Sequence, residues 1–238
     1  MKYSHEQDNP DYWNNLERIK TDTCKATLED VKLDPLFGYG EAVLSNYSDI
    51  TKWIKSFDSL IPNKGNVRTV VDFGCGGGYH SLRWCSGIKK EGLGEWEIVL
   101  VDQSSVALNI AKSRLSQVFP GVALDSFCTS SMEVGKKADV IFTNTSLQHN
   151  SKQKKNIVIN GFLTTLNSGG LLYLINEKTF CFSEDGHLPL WELVKKNPFY
   201  EGSNGTDGTA PWWIGLIASR GFELLHYFSG SYTFRKLS

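Results

Sequence analysis

The stretch VRTVVDFGCGGGYHSLRW, residues 67–84, runs from apolar residues into a carboxylate and then into crowded glycines. The pattern is D-x-G-x-G-x-G, from Asp72 through Gly74, Gly76 and Gly78. A strand, a glycine-rich turn and a helix in succession let backbone approach a ligand at the helix N-terminus. A tight turn alone would also use glycine, so the neighbouring residues decide between the two. A dinucleotide loop, G-x-G-x-x-G, carries its last glycine one place later, where Tyr79 stands here. Asp72 ends an apolar strand, where a carboxylate needs hydrogen-bond partners or a cation. It would repel a pyrophosphate and welcome an ammonium group. The next apolar strand, WEIVLVD, ends in Asp102, 24 residues after Gly78 (102 − 78), close to the roughly 20 typical of a ribose-binding acid. The two acids suit one ligand that offers a cation near Asp72 and a ribose near Asp102.

Positioning such residues requires strands that end at a common edge. VRTVVDF and WEIVLVD read as buried strands, VALDSFCTS as a weaker one, and ADVIFTN and LLYLINE as a fourth and fifth. Helices alternate with them: YHSLRWCSGIKK, SSVALNIAKSRLSQVF with Ser104 as its cap, and SKQKKNIVINGFLTTLN. Buried apolar runs alternating with helices predict a parallel sheet covered on both faces. The segment PWWIGLIASRGFELLHYFSGSYTFRKLS reads as a helix, a break at Gly221, a strand, a short turn and a final strand. A short turn joins antiparallel neighbours. The expected fold is therefore α/β, a three-layer sandwich around a seven-stranded, mostly parallel sheet whose last strand is antiparallel. Residues 1–62 are helical in pattern and aromatic-rich, and form the expected N-terminal cap on a domain of residues 63–238. Residues 177–211 are loop-like around one short helix at LWELVKK, a substrate-side insert.

Bulk composition is that of a soluble globular protein: 238 residues, 40% hydrophobic, 21% charged, net charge −1. That charge offers no electrostatic case for nucleic acid or an acidic membrane surface. No apolar run approaches the roughly 20 residues needed to cross a bilayer. The polar N-terminus lacks a signal-peptide core, so a cytoplasmic protein is expected. The five cysteines form no CxxC pair, and the five histidines show no ligand-like spacing, so reduced thiols and no metal are expected.

Later landmarks fall in order: ADVIFTNTSLQH is an acid, an apolar strand and a polar turn, and LNSGGLLYLINE follows one helix later. With VVDFGCGGG and the VD at 101–102, these stretches make residues 67–238 resemble a class I S-adenosylmethionine-dependent methyltransferase. The family's more common form of the last motif is L-x-P-G-G. The resemblance implies S-adenosylmethionine as cofactor and S-adenosylhomocysteine as product. It implies that Gly74, Gly76 and Gly78 line the cofactor's amino-acid part and sugar, that Asp72 faces its amino group, and that Asp102 holds the ribose with Gln103 beside the adenine. The acid that takes the adenine amine in the family is replaced here by Ser130, in CTSSME. Ser130 or Ser131 would serve instead, with Met132 packed on the ring. Asn144 would border the methionine part.

Methyl transfer to nitrogen or oxygen needs alignment and sometimes a base. His149, in SLQHN, titrates in the right range, although a histidine there also serves to brace a loop. Asn176 and Glu177 end the fifth strand and could fix an amine or hydroxyl; His187 lies in the insert. Tyr12, Trp13 and Tyr39 are the expected lid over the cofactor, and DPLFGYGEAV resembles a segment that crosses it in related enzymes. The leading expectation is a methyltransferase acting on a small molecule, as a monomer or homodimer. The alternatives are a peptide or protein amino-group methyltransferase, with SEDG and NGTDG supplying an acidic groove, a cofactor-binding relative without methyl transfer, and a nicotinamide oxidoreductase. Nucleic-acid methylation is disfavoured, because no N-P-P-[YF] motif follows the fourth strand.

Overall fold

The computed structural model describes residues 9–11, 14, 58–61, 67–144, 146–147, 150–175, 187–189, 209–228 and 231–238. Its sheet is built from β1 (Arg68–Phe73), β2 (Trp96–Asp102), β3 (Ala123–Cys128), β4 (Ala138–Asn144), β5 (Leu166–Ile175), β8 (Phe222–Phe228) and β9 (Ser231–Lys236), in the spatial order β3-β2-β1-β4-β5-β9-β8. β1 pairs in parallel with β2 and β4, β2 with β3, and β4 with β5. β9 pairs antiparallel with both β5 and β8. The last strand thus inserts between β5 and β8 and is the one that runs against the rest. The two-residue connection at 229–230 dictates this, because it joins only antiparallel neighbours.

The helices divide between the two faces. α1 (Tyr79–Glu91) and α2 (Ser105–Val118) cover one face, where Val70, Ile98, Leu100, Val140, Phe142 and Tyr173 meet Leu82, Trp84, Leu108 and Leu115. α3 (Lys152–Thr165) and α4 (Trp212–Ser219) cover the other, where Val71, Val99, Ile141, Leu172 and Leu174 meet Val158, Phe162, Trp213 and Ile217. Successive strand residues alternate between the two cores, as the pleat requires. Trp84 stacks on Phe142 (centroids 5.4 Å apart, 18° between planes) and meets Trp96 edge-on at 5.4 Å. Aromatic pairs in these geometries are worth about 0.5–1.5 kcal/mol each beyond the area they bury.

Ser104 and Ser151 cap α2 and α3, their hydroxyls accepting from the backbone N–H of Ala107 and Lys154. Two details differ from the sequence expectation. SGG does not precede the fifth strand as a turn. β5 already starts at Leu166, and its pairing with β4 slips between Ala138 and Val140. Gly169 takes a positive φ of 76°, and a Cβ on Gly170 would come within 2.9 Å of the Asn167 carbonyl. The glycines thus form an irregularity inside the strand. The base of the insert is also not pure loop: β6 (His187–Pro189) and β7 (Thr209–Pro211) pair antiparallel, with His187 opposite Pro211. Of residues 1–62, residues 9–11, 14 and 58–61 are described, and Ile61 is buried in the core on the α1 side. Among the described residues, no helix is long and apolar enough to cross a membrane.

Candidate active site

Strand order reverses between β1 and β4, since the chain winds outward through β2 and β3 on one side and through β5 on the other. A crevice forms beyond the carboxyl ends of strands at such a point. Three turns converge there: the glycine loop after β1, Asp102 at the end of β2, and Asn144 at the end of β4.

The glycines have distinct duties. Gly74, Gly76 and Gly78 all take positive φ, at 71°, 49° and 80°. A Cβ on Gly78 would meet the Ala111 Cα at 2.9 Å, so this glycine lets the loop press against α2. A Cβ on Gly74 would collide with Ser146, whose hydroxyl donates toward the carbonyls of Gly74 (3.4 Å) and Asn144 (3.2 Å). Among the described residues, a Cβ on Gly76 would meet nothing within 4 Å. No described residue therefore packs on the Gly76 flank, as a ligand-facing backbone requires.

Asp102 is held from two sides. Its Oδ2 accepts from the Gly76 N–H at 2.9 Å and its Oδ1 from the Ser104 N–H at 2.8 Å. These two donors fix the orientation of the carboxylate. Asp72 is buried, and its Oδ2 accepts from the Ser81 hydroxyl at 2.7 Å. Burial pushes the Asp72 carboxyl up to about 7; the Ser81 bond opposes this and the nearby Asp102 charge adds to it. A cation entering the crevice would relieve both effects.

The remaining expected residues are placed as follows. Gln103 follows Asp102, and its Oε1 accepts from Lys154 Nζ on α3 at 2.8 Å. Ser130 and Ser131 are half-buried beyond β3, with the Ser131 N–H donating to Thr129 Oγ1 at 3.1 Å. Met132 is buried among the α3-side core residues, its Cβ close to the place a Gly161 Cβ would take. Asn144 is half-buried and contacts His80. His149, Asn176, Glu177, Tyr12, Trp13 and Tyr39 lie outside the described residues.

Several contributors were not legible as such. Arg114 on α2 donates to the Gly77 carbonyl at 2.8 Å, and its guanidinium lies 4.3 Å over the Tyr79 ring, clamping the loop. Asn14 Oδ1 accepts from the Ser104 hydroxyl at 2.8 Å and from the Val106 N–H at 3.4 Å, which docks Asn14 at the start of α2. Ser81 and His80 are polar residues in the first turn of a helix, and no linear spacing ties them to β1 or β4. α1 opens after Gly78, which has no side chain to cap it, and the backbone N–H of Ser81 in its first turn donates to the Asp72 carboxylate.

These features fit a ligand with a ribose, a cationic amine and a carboxylate, the parts of S-adenosylmethionine. A family model described as a methyltransferase domain matches residues 65–211, more than half of the chain. No curated protein matches in sequence. Among solved structures, magnesium protoporphyrin IX methyltransferase from Synechocystis with bound SAH superposes with a TM-score of 0.58 at 14% identity, over 95% of this chain and 97% of that one. An S-adenosylmethionine-dependent methyltransferase from Clostridium acetobutylicum gives 0.53 at 12% identity, covering 84% and 96%. DesVI of Streptomyces venezuelae gives 0.53 at 14%, covering 90% and 99%. At these identities the likeness speaks for the fold, while the family match spans the glycine loop, Asp102 and Asn144 together. The chain belongs to the class I S-adenosylmethionine-dependent methyltransferases.

Proposed function

We propose that this enzyme transfers methyl to nitrogen or oxygen of a small molecule held beyond the carboxyl ends of β1, β4 and β5. The observation that carries the cofactor side is Asp102, pre-oriented by the Gly76 and Ser104 amides next to the open flank of Gly76. When bound, S-adenosylmethionine supplies an electrophilic methyl on a sulfonium centre. Asp102 binds the ribose hydroxyls, and Asp72 balances the cofactor's ammonium. The backbone of Gly74, Gly76 and Gly78 makes room for its amino-acid part and sugar. Gln103, Ser130, Ser131 and Met132 surround the adenine, and Asn144 borders the methionine part.

On the substrate side, His149 takes the proton of the accepting atom, and Asn176 and Glu177 orient that atom. Residues 1–62 form a cap, with Tyr12, Trp13 and Tyr39 as a lid that excludes water. The docking of Asn14 against Ser104 and Val106 at the start of α2 supports this reading. Residues 177–211 complete the substrate side. The enzyme works in the cytoplasm, as a monomer or homodimer, without nucleic acid or membrane; the chain's net charge of −1 supports that reading.

The test measures SAH release from S-adenosylmethionine against panels of small amines and phenols, and against peptides with free amino termini. Turnover with a small amine or phenol is expected; turnover with peptides alone would replace this reading. His149→Ala should lower turnover more than SAH affinity. Retention of both activity and pH profile would reduce His149 to a structural role.

A further inference from the structure

Three consecutive residues in the first turn of α1 reach three different elements. Tyr79 lies under Arg114 of α2, His80 contacts Asn144 at the end of β4, and Ser81 donates to Asp72 on β1. The last two contacts fall on the polar side chains that end the two central strands at the crevice. We propose that His80 is a positioning residue of the methyltransferase site, fixing the plane of the Asn144 amide and thereby the rim that borders the cofactor. This rests on the reading of the crevice as the S-adenosylmethionine site.

The chemistry of the contact is directional. The Asn144 atom is Nδ2 and the His80 atom is Nε2. An amide nitrogen only donates, so Nε2 must accept. That requires the neutral imidazole with its proton on Nδ1. Burial, and then the nearby Arg83 charge, hold the His80 imidazole down to about 3. The ring therefore stays neutral across the working range and keeps its acceptor. With the proton on Nδ1, a turned amide would set the Asn144 carbonyl oxygen against a ring lone pair, so the contact ties the amide orientation to the ring tautomer. A displaced amide would move the cofactor-facing rim while leaving the sheet intact.

The whole chain is used for the test, with SAH as calorimetric probe. His80→Ala and Asn144→Ala are each expected to weaken SAH binding about tenfold, and the double variant no further than either single one, because both remove one unit. His80→Gln, which retains an acceptor, should return affinity to within about threefold of wild type; His80→Leu should not. If His80→Ala fails to fold, the Gln and Leu variants alone carry the comparison. Nitrogen-15 spectra of the imidazole should show the Nδ1-protonated neutral form from about pH 5 to pH 8. Affinity unchanged in His80→Ala, multiplied losses in the double variant, equal rescue by Leu, or an imidazole that titrates in that interval would each overturn the proposal. Failure of the wild-type chain to bind either SAH or S-adenosylmethionine would instead overturn the reading of the crevice, and the proposal with it, whatever the imidazole spectra show.

Discussion

At the scale of single residues, two carboxylates with different surroundings do different work. Asp102 is half-buried and receives two backbone N–H groups, so it is a pre-set acceptor. Replacing it with alanine should weaken SAH binding by about 1.5–3 kcal/mol, the range for hydrogen bonds to a charged group. Calorimetry checks this, and unchanged affinity would remove Asp102 from the ribose. Asp72 is buried, and its carboxyl is raised from 3.8 to about 7. Between those values the folded chain holds the proton that the unfolded chain has released. Stability from this group therefore falls as pH rises from about 4 to 7 and stays low above. Asp72→Asn should flatten that slope and raise the apo-protein's stability at pH 8, by at most about 4 kcal/mol for three pKa units. Denaturant unfolding at pH 5 and pH 8 measures it. A slope unchanged in the variant would mean that Asp72 is ionised well below neutrality. Cys85 differs again: burial pushes its thiol up to about 12, while Cys128 is exposed beside the Gln103 carbonyl. Native alkylation read by peptide mass should label Cys128 and spare Cys85.

At the scale of elements, the loop between β1 and α1 separates packing from binding. Gly78→Ala drives a methyl into the α2 backbone at a φ of +80°, so the unfolding midpoint should drop by the equivalent of about 1–3 kcal/mol. Gly76→Ala meets no atom of the described residues within 4 Å. Its stability loss should be smaller, about 1 kcal/mol for the left-handed backbone, and its main effect should be weaker SAH binding. Equal effects of the two substitutions on both readouts would refute this division. The D-x-G-x-G-x-G spacing makes the loop visible in the sequence, but it treats the three glycines alike. Only the approach of Ala111 and Ser146 distinguishes them, because those residues are distant in sequence. The same limit hid the irregularity at Gly169 and Gly170, where a turn signal lies within a strand.

At the scale of the whole molecule, binding and folding are linked. A ligand that binds only the folded chain stabilises it by mass action, so SAH at 100 times its Kd should add about 2.7 kcal/mol to the unfolding free energy. NADH at the same concentration should add nothing. The reverse result would return the molecule to the nicotinamide class that the glycine spacing argues against. Trp84 joins α1 to β4 and β2 through Phe142 and Trp96. Trp84→Ala should therefore cost about 3–5 kcal/mol and lower every probe of unfolding together.

Legible in the linear chain were the periodic elements of the main sheet, the order of its strands and helices, the mostly parallel sheet with one reversed strand, and the two acids, Asp72 and Asp102, at the ends of neighbouring strands. These are local signals, written in apolar periodicity, glycine spacing and turn length. Which groups brace that edge of the sheet emerges only on folding. Ser81 reaches Asp72, His80 reaches Asn144, Arg114 locks Gly77, and Asn14 docks at Ser104. The last three pairs are separated by 64, 37 and 90 residues in the chain. A hydrogen bond between such residues leaves no periodicity in the sequence. It exists only once the parallel strands bring their carboxyl ends to one edge.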